Sequence, residues 1–134
     1  SGNSNYNCWI SNDEKPTLME RMSGEAVLLR IFLGESDKFK GKLLYEAIVE
    51  AARRNGLAGA TVLRGIMGYG INSTIHTFKL FALSEDMPVI IEIVDTSEKI
   101  SAFMPLLNDI IDQANTGIMI TTEKVQVVKY TAKK

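Results

Sequence analysis

The sequence predicts an α+β fold: a ferredoxin-like split βαβ sandwich, with an antiparallel sheet carrying two helices on one face. Three observations carry that prediction. Apolar runs of strand length alternate with two stretches of helical apolar period. Their order is strand, helix, strand, loop, strand, helix, strand, which makes two βαβ-like halves of similar size. Finally, 134 residues with 46% hydrophobic content suit one domain, whose core needs no disulfide or metal staple.

Residues 1–24 lie outside this pattern. Asn3, Asn5, Asn7 and Asn12 are interspersed with serines and no apolar period develops. Ser1-Gly2 reads as an expression-vector remnant, and Met19 and Met22 are both candidate natural starts. The segment is expected to be an N-terminal tail, partly vector-derived or flexible. Residues 25–130 are expected to form the domain and 131–134 a short C-terminal tail. Cys8 falls in the first tail, where nothing nearby lowers a thiol pKa, so it reads as an incidental tail residue rather than a reactive one.

The first strand is Ala26–Leu33, stopped by Gly34-Glu-Ser-Asp37. A helix follows, with Leu44, Ala47, Ile48 and Ala51 on one face and Glu46, Glu50, Arg53 and Arg54 on the other. Asn55-Gly56 ends it, with Gly56 suited to a left-handed C′ position. Ala60–Met67 is the second strand, broken by Gly68-Tyr-Gly70. Thr77–Leu83 can pair as a further strand, and Val89–Val94 is the most strand-like run. The second helix is capped by Asp95, in a capping box with Glu98, or by Thr96. Ile100, Phe103, Leu107, Ile110, Ile111 and Ala114 form its stripe, with a kink or restart expected at Pro105 and an end at Thr116-Gly117. Ile118–Ile120 and Val125–Tyr130 read as two strands around the polar Thr121–Lys124. Phe78, Phe81, Ile91 and Ile93 are too apolar for both sheet faces to stay wet, so association through the bare face is expected.

Composition excludes several functions. A net charge of -1 with 23% charged residues gives no global electrostatic reason to bind nucleic acid. One cysteine and one histidine exclude an internal disulfide and a Cys₄ or Cys₂His₂ zinc site within one chain. The longest apolar run, Pro88–Val94, is strand length and carries Glu92, so no membrane helix is expected. The N-terminus lacks the order of a signal peptide, which makes a cytoplasmic location the expectation.

The strongest local signal is the glycine-rich stretch from Gly56 to Gly70. Glycines near strand ends let a backbone approach a ligand, and equally serve tight turns and bulges. No Gly-Lys-Ser/Thr follows, so it is not a P-loop, and its strand and loop order is not that of a dinucleotide fingerprint. Arg30 and Arg64 lie on strands, where each can hold an anionic ligand or pair structurally with Glu92 or Glu35. Lys38, Lys40 and Lys42 alternate in the loop before the first helix, reading as a solvated loop or as compensating phosphate contacts. His76 is the one imidazole, a surface hydrogen-bonding residue or a ligand contact.

Gly59-Ala-Thr-Val, Gly68-Tyr-Gly70, His76-Thr77 and Ile91-Glu-Ile-Val94 together resemble the PII signal-transduction proteins. Leu29–Asp37, Gly41–Glu46, Gly59–Gly68, Ile75-His76 and Glu92–Asp95 resemble more closely a PII-like family, domain of unknown function 190, over about residues 25–130. The resemblance implies a homotrimer with ligand clefts between subunits. It implies ATP or ADP at the base of a T-loop that docks onto a partner. The matching positions are Thr61, Gly68, Tyr69, Gly70 and Glu92, with Arg30, Arg64 and His76 as further candidate ligand contacts. This sequence departs from PII at three places. Gly117–Thr121 lacks the phosphate-holding lysine, only Lys129 stands where PII has two arginines, and Ile71-Asn72 replace a basic residue and an amide. A nucleotide with fewer phosphates, or another small ligand, therefore fits better than ATP. The expected function is a non-enzymatic trimeric regulator that binds a small ligand, an adenine nucleotide first, with no cofactor, catalytic residue or metal. A membrane transporter or channel is the expected client by analogy. The alternatives are a small trimeric ferredoxin-like enzyme using His76 and Arg64, or a metal-binding or structural trimer.

Overall fold

The computed structural model describes residues 24–70, 76–77 and 86–133; of 76–77 only the backbone is described. Its elements are β1 (Glu25–Gly34), β2 (Lys38–Phe39), β3 (Lys42–Leu43), α1 (Leu44–Arg54), β4 (Thr61–Arg64), β5 (Met67–Gly68), β6 (His76–Thr77), β7 (Pro88–Asp95), α2 (Ser97–Ala114) and β8 (Met119–Gln126). Four strands form one antiparallel sheet in the order β4-β7-β1-β8. That is the split βαβ arrangement expected from the sequence, in which β1 and β7 are central and β4 and β8 are the edges.

Strand parity shows why both helices lie on one side. Leu29, Ile31 and Leu33 of β1 and Val89, Ile91 and Ile93 of β7 are buried, and all point the same way. They pack with Leu44, Ile48 and Ala51 of α1 and Ile100, Phe103, Leu107 and Ile110 of α2, the stripes expected from helical period. The alternate positions Leu28, Arg30 and Phe32, with Ile90, Glu92 and Val94, make the open face. Ile91 and Ile93 thus belong to the core. The bare face is apolar through other residues, while Phe78 and Phe81 lie outside the described residues.

Several boundaries differ from expectation for local reasons. The segment after β1 is a small hairpin, β2–β3, turned by Lys40 and Gly41, both at positive φ. The second strand is shorter, Thr61–Arg64; Gly65 makes one more bond to Pro88, and Met67–Gly68 then leave β7 to pair with β6. Of the strand expected at Thr77–Leu83, Thr77 pairs with Met67 and residues 78–83 lie outside the described residues. Helix α2 runs without a restart through Pro105. Ser101, Ala102 and Pro105 share the solvent side, so water can satisfy the carbonyl that proline leaves without a donor. Thr96, not Asp95, caps α2: its hydroxyl accepts from the Lys99 N–H at 3.1 Å. The helix ends on Asn115 in the left-handed region, two residues before the expected glycine. Gly56 has φ 76°, as expected after α1.

Residues 119–126 form one strand rather than two, since Thr121, Thr122, Glu123 and Lys124 sit on an edge that water reaches. Beyond it the chain turns back over the open face. The Val127 N–H donates to the Gly24 carbonyl at 2.7 Å, and the Tyr130 hydroxyl donates to the Ala58 carbonyl at 3.1 Å. Val127 packs there with Ala26, Ala58, Val94 and Val125 in a second small apolar cluster.

The hairpin is joined to α1 by the Lys42–Glu50 ion pair at 2.7 Å. The Lys42 hydrogen bond holds the Glu50 carboxyl below its ordinary value. A depressed carboxyl contributes stability above the ordinary glutamate range, and that contribution is lost as pH falls through the folded-state value. Glu50→Gln is therefore expected to be slightly less stable than wild type at about pH 7 and indistinguishable from it at about pH 2, read by urea melts.

Candidate functional site

The open face is built of rows that the strand register lines up across the sheet. The first is polar: Thr61, Glu92, Arg30 and Thr121. Arg30 Nε donates to Glu92 Oε2 at 2.9 Å and Nη1 to Glu123 Oε1 at 2.8 Å. These bonds, that to Glu92 foremost, raise the Arg30 pKa further above its already high ordinary value. The guanidinium remains charged at every accessible pH and is engaged by two carboxylates.

The second row is apolar: Leu63, Ile90, Phe32 and Met119. Its outer members stay open to water, Leu63 at 45% and Met119 at 55% of full exposure. The third row, at the sheet end, is Gly65, Pro88 and Gly34. The Gly65 N–H donates to the Pro88 carbonyl at 2.7 Å, and a Cβ on Gly65 would lie 2.9 Å from Pro88 Cγ. A Cβ on Gly68 would lie 3.2 Å from the same atom. Both glycines therefore let the chain close against the proline ring, a packing role that accounts for part of the glycine signal. Beyond them Ile66, Met67 and Tyr69 are exposed, Tyr69 at 71%, and a Cβ on Gly70 would meet nothing within 4 Å.

The candidate residues thus fall into two groups. Arg30, Thr61 and Glu92 meet in the polar row. Arg64, Gly68, Tyr69 and Gly70 gather at the sheet end, two rows away, where the backbone of Gly68 pairs with that of His76. The His76 side chain lies outside the described residues. Both arginines make the structural pairs open to them: Arg30 with Glu92, and Arg64 Nε with Glu35 Oε1 at 3.0 Å.

Sequence reasoning offered Glu35 as a partner for an arginine but read the rest of the Gly34–Asp37 turn as a strand stop, and so missed Ser36 and Asp86. The Glu35 N–H donates to the Met87 carbonyl at 2.8 Å, and Ser36 Oγ donates to Asp86 Oδ1 at 2.6 Å. It read Asp95 as a helix cap, whereas Asp95 is a fully buried carboxylate that also holds the chain before β4. Asp95 Oδ2 accepts from the Ala58 N–H at 2.9 Å and Oδ1 from the Thr96 N–H at 2.7 Å, which fixes the approach to β4. Among the described residues, no group of three or more His, Cys, Asp or Glu could hold a metal ion, and no helix is long and apolar enough to cross a membrane.

Comparison with known proteins agrees with this architecture. A UPF0166 protein from Methanocaldococcus jannaschii is 43% identical over 99 residues, covering 74% of this chain and 89% of that relative. A UPF0166 protein from Aquifex aeolicus is 45% identical over 101 residues, covering 75% and 91%. Among solved structures, the nitrogen regulatory PII-like protein CPII from Thiomonas intermedia, bound to ADP, AMP and bicarbonate, superposes with a TM-score of 0.54 at 17% identity, covering 78% of this chain and 90% of CPII. A PII-like signaling protein from Thermus thermophilus superposes with a TM-score of 0.54 at 18% identity, covering 78% and 89%. At such identities the likeness is one of fold. The family model described as DUF190, Uncharacterized ACR, COG1993, matches residues 26–127. With that match and these relatives, the chain belongs to the DUF190 (UPF0166) family, and its fold is that of the PII-like structures.

Proposed function

We propose that this protein is a PII-like regulator that acts as a homotrimer, without catalysis of its own. In this reading a small ligand, an adenine nucleotide such as ADP or AMP, binds in clefts between subunits at the sheet end. Its binding alters the segment between Gly70 and Asp86, the T-loop of the PII resemblance, and so the docking of a client. The protein acts in the cytoplasm, and the client is a membrane transporter or channel. The candidate contacts are Arg64, Gly68, Tyr69, Gly70 and His76 at the sheet end, and Arg30, Thr61 and Glu92 on the open face.

The observation that carries the reading is the sheet end itself. Gly65 and Gly68 close on Pro88, leaving Tyr69 and the backbone around Gly70 exposed beside the polar and apolar rows of the face opposite α1 and α2. A PII-like protein of the same fold holds ADP and AMP. The mechanism is a population shift: a ligand that contacts one arrangement of the segment better raises that arrangement's share. Titration with ADP, AMP and ATP, read by thermal shift and calorimetry, tests the proposal. A nucleotide at a hundredfold excess over its Kd is expected to stabilise the protein by about 2.7 kcal/mol. ADP or AMP is expected to exceed ATP, and no shift with any of the three would refute the nucleotide reading.

A further inference from the structure

We propose that Glu35 and Ser36 are positioning residues for this site, and that the Gly34–Asp37 turn clasps both limbs of the segment the ligand would act on. The inference rests on the proposed function above for its ligand, and on the structure for its geometry.

The turn reaches both limbs with different groups. Toward the first limb, the Glu35 carboxylate accepts from Arg64 Nε at 3.0 Å, at the last residue of β4. Toward the second, the Glu35 N–H donates to the Met87 carbonyl, while the Ser36 hydroxyl and N–H both donate to Asp86 Oδ1, at 2.6 and 3.4 Å. The limbs also hold each other, through Gly65 and Pro88. The turn is itself pre-organised. Asp37 Oδ2 accepts from the Gly34 N–H at 2.9 Å, and the Asp37 carbonyl accepts from the Leu44 N–H, at the start of α1, at 2.7 Å. Gly34 is required by this packing, because a Cβ there would lie 2.9 Å from Asp86 Oδ1 and 3.2 Å from Asp37 Oδ1.

A half-exposed ion pair such as Arg64–Glu35 adds little to global stability. Its consequence here is geometric. Arg64, Asp86 and Met87 are tied to one turn, and Gly65 to Pro88, so displacement of either limb strains bonds to the other. A ligand seated on the first limb is thereby felt at the second, a coupling carried by named hydrogen bonds.

The test uses the full chain with ADP and AMP as probes. Hydrogen exchange of residues 64–70 and 86–88 is measured alongside calorimetry for wild type, Glu35→Gln, Ser36→Ala and Glu35→Ala/Ser36→Ala, with Ser36→Thr as the conservative rescue. Exchange in both limbs is expected to rise together in the double variant, and its ADP affinity to fall about tenfold. Ser36→Thr, which keeps the hydroxyl and the Glu35 carboxylate, is expected to match wild type in both readings, unlike Ser36→Ala. If the double variant fails to fold, the single variants give the same readings at reduced size. Wild-type exchange in both limbs of the variants would overturn the clasp while leaving nucleotide binding intact. If wild type binds neither ADP nor AMP, the proposed function fails. The clasp then stands on a joint rise in exchange, and falls without it.

Discussion

Ile90→Asp is expected to reduce the proposed trimer to single chains, with its secondary structure retained. Ile90 stands in the middle of the apolar row, between Leu63 and Phe32, on the face that neither α1 nor α2 covers. In a single chain an aspartate there still reaches water, so the fold loses roughly the 1 kcal/mol spanned by strand preferences. In an assembly that buries this face the same carboxylate loses water without gaining a partner, at a cost of several kcal/mol. A cyclic assembly repeats that cost at every interface. Light scattering is expected to give about three times 14.8 kDa for wild type and a single 14.8 kDa chain for the variant. Nucleotide binding is expected to disappear with the clefts. A variant that keeps the wild-type mass would show that the open face is not where the copies meet.

The second large effect is expected at Asp95. Its two carboxylate oxygens each accept a backbone N–H, one from Ala58 and one from Thr96. Alanine removes both acceptors and leaves two donors in a part-buried setting, at about 3 kcal/mol in total. For a folded unit of this size, that corresponds to a melting temperature lower by roughly 12–20 °C. Asp95→Asn is expected to recover less than half. Its carbonyl replaces one acceptor, while its amide group presents hydrogens to the other N–H donor. Calorimetric melts of the three proteins check this order. An alanine variant within a couple of degrees of wild type would mean that water takes over both donors. Ala58 is held by its other peptide group as well, since its carbonyl accepts from Tyr130, so exchange at 58–61 is expected to rise in Asp95→Ala.

Much of the fold could be read from the sequence because its signals are periodic. The α1 stripe of Leu44, Ala47, Ile48 and Ala51 is buried as expected, and so are Ile100, Phe103, Leu107 and Ile110 of α2. What misled was polarity on an edge. Thr121–Lys124 looked like a break between two strands, yet β8 needs only β1 on one side and can keep polar side chains in water. Face assignment was also beyond periodicity alone. In β7 the isoleucines alternate with Ile90 and Val94, so a run apolar at nearly every position gives no parity. The site was partly legible. Glycines and arginines stood out as residue types, and the pairs Arg30–Glu92 and Arg64–Glu35 were among their readings. Ser36 and Asp86 did not stand out, because they are 50 residues apart and both read as ordinary turn formers. Only the β1–β7 register, which sets Gly34 beside Pro88, brings them together.

The two edges of the sheet bear on how the molecule avoids fibres. β4 offers only four residues for strand addition, and β8 offers a border of threonines with Glu123 and Lys124. Short or charged edges make poor templates for another strand. The polar run that disguised β8 in the sequence therefore protects the molecule from growing sideways. In the proposed trimer, self-association would then fall to the broad flank of the sheet, where copies can meet in a closed ring of limited size. Lys124→Val with Glu123→Thr would remove that protection without touching the core.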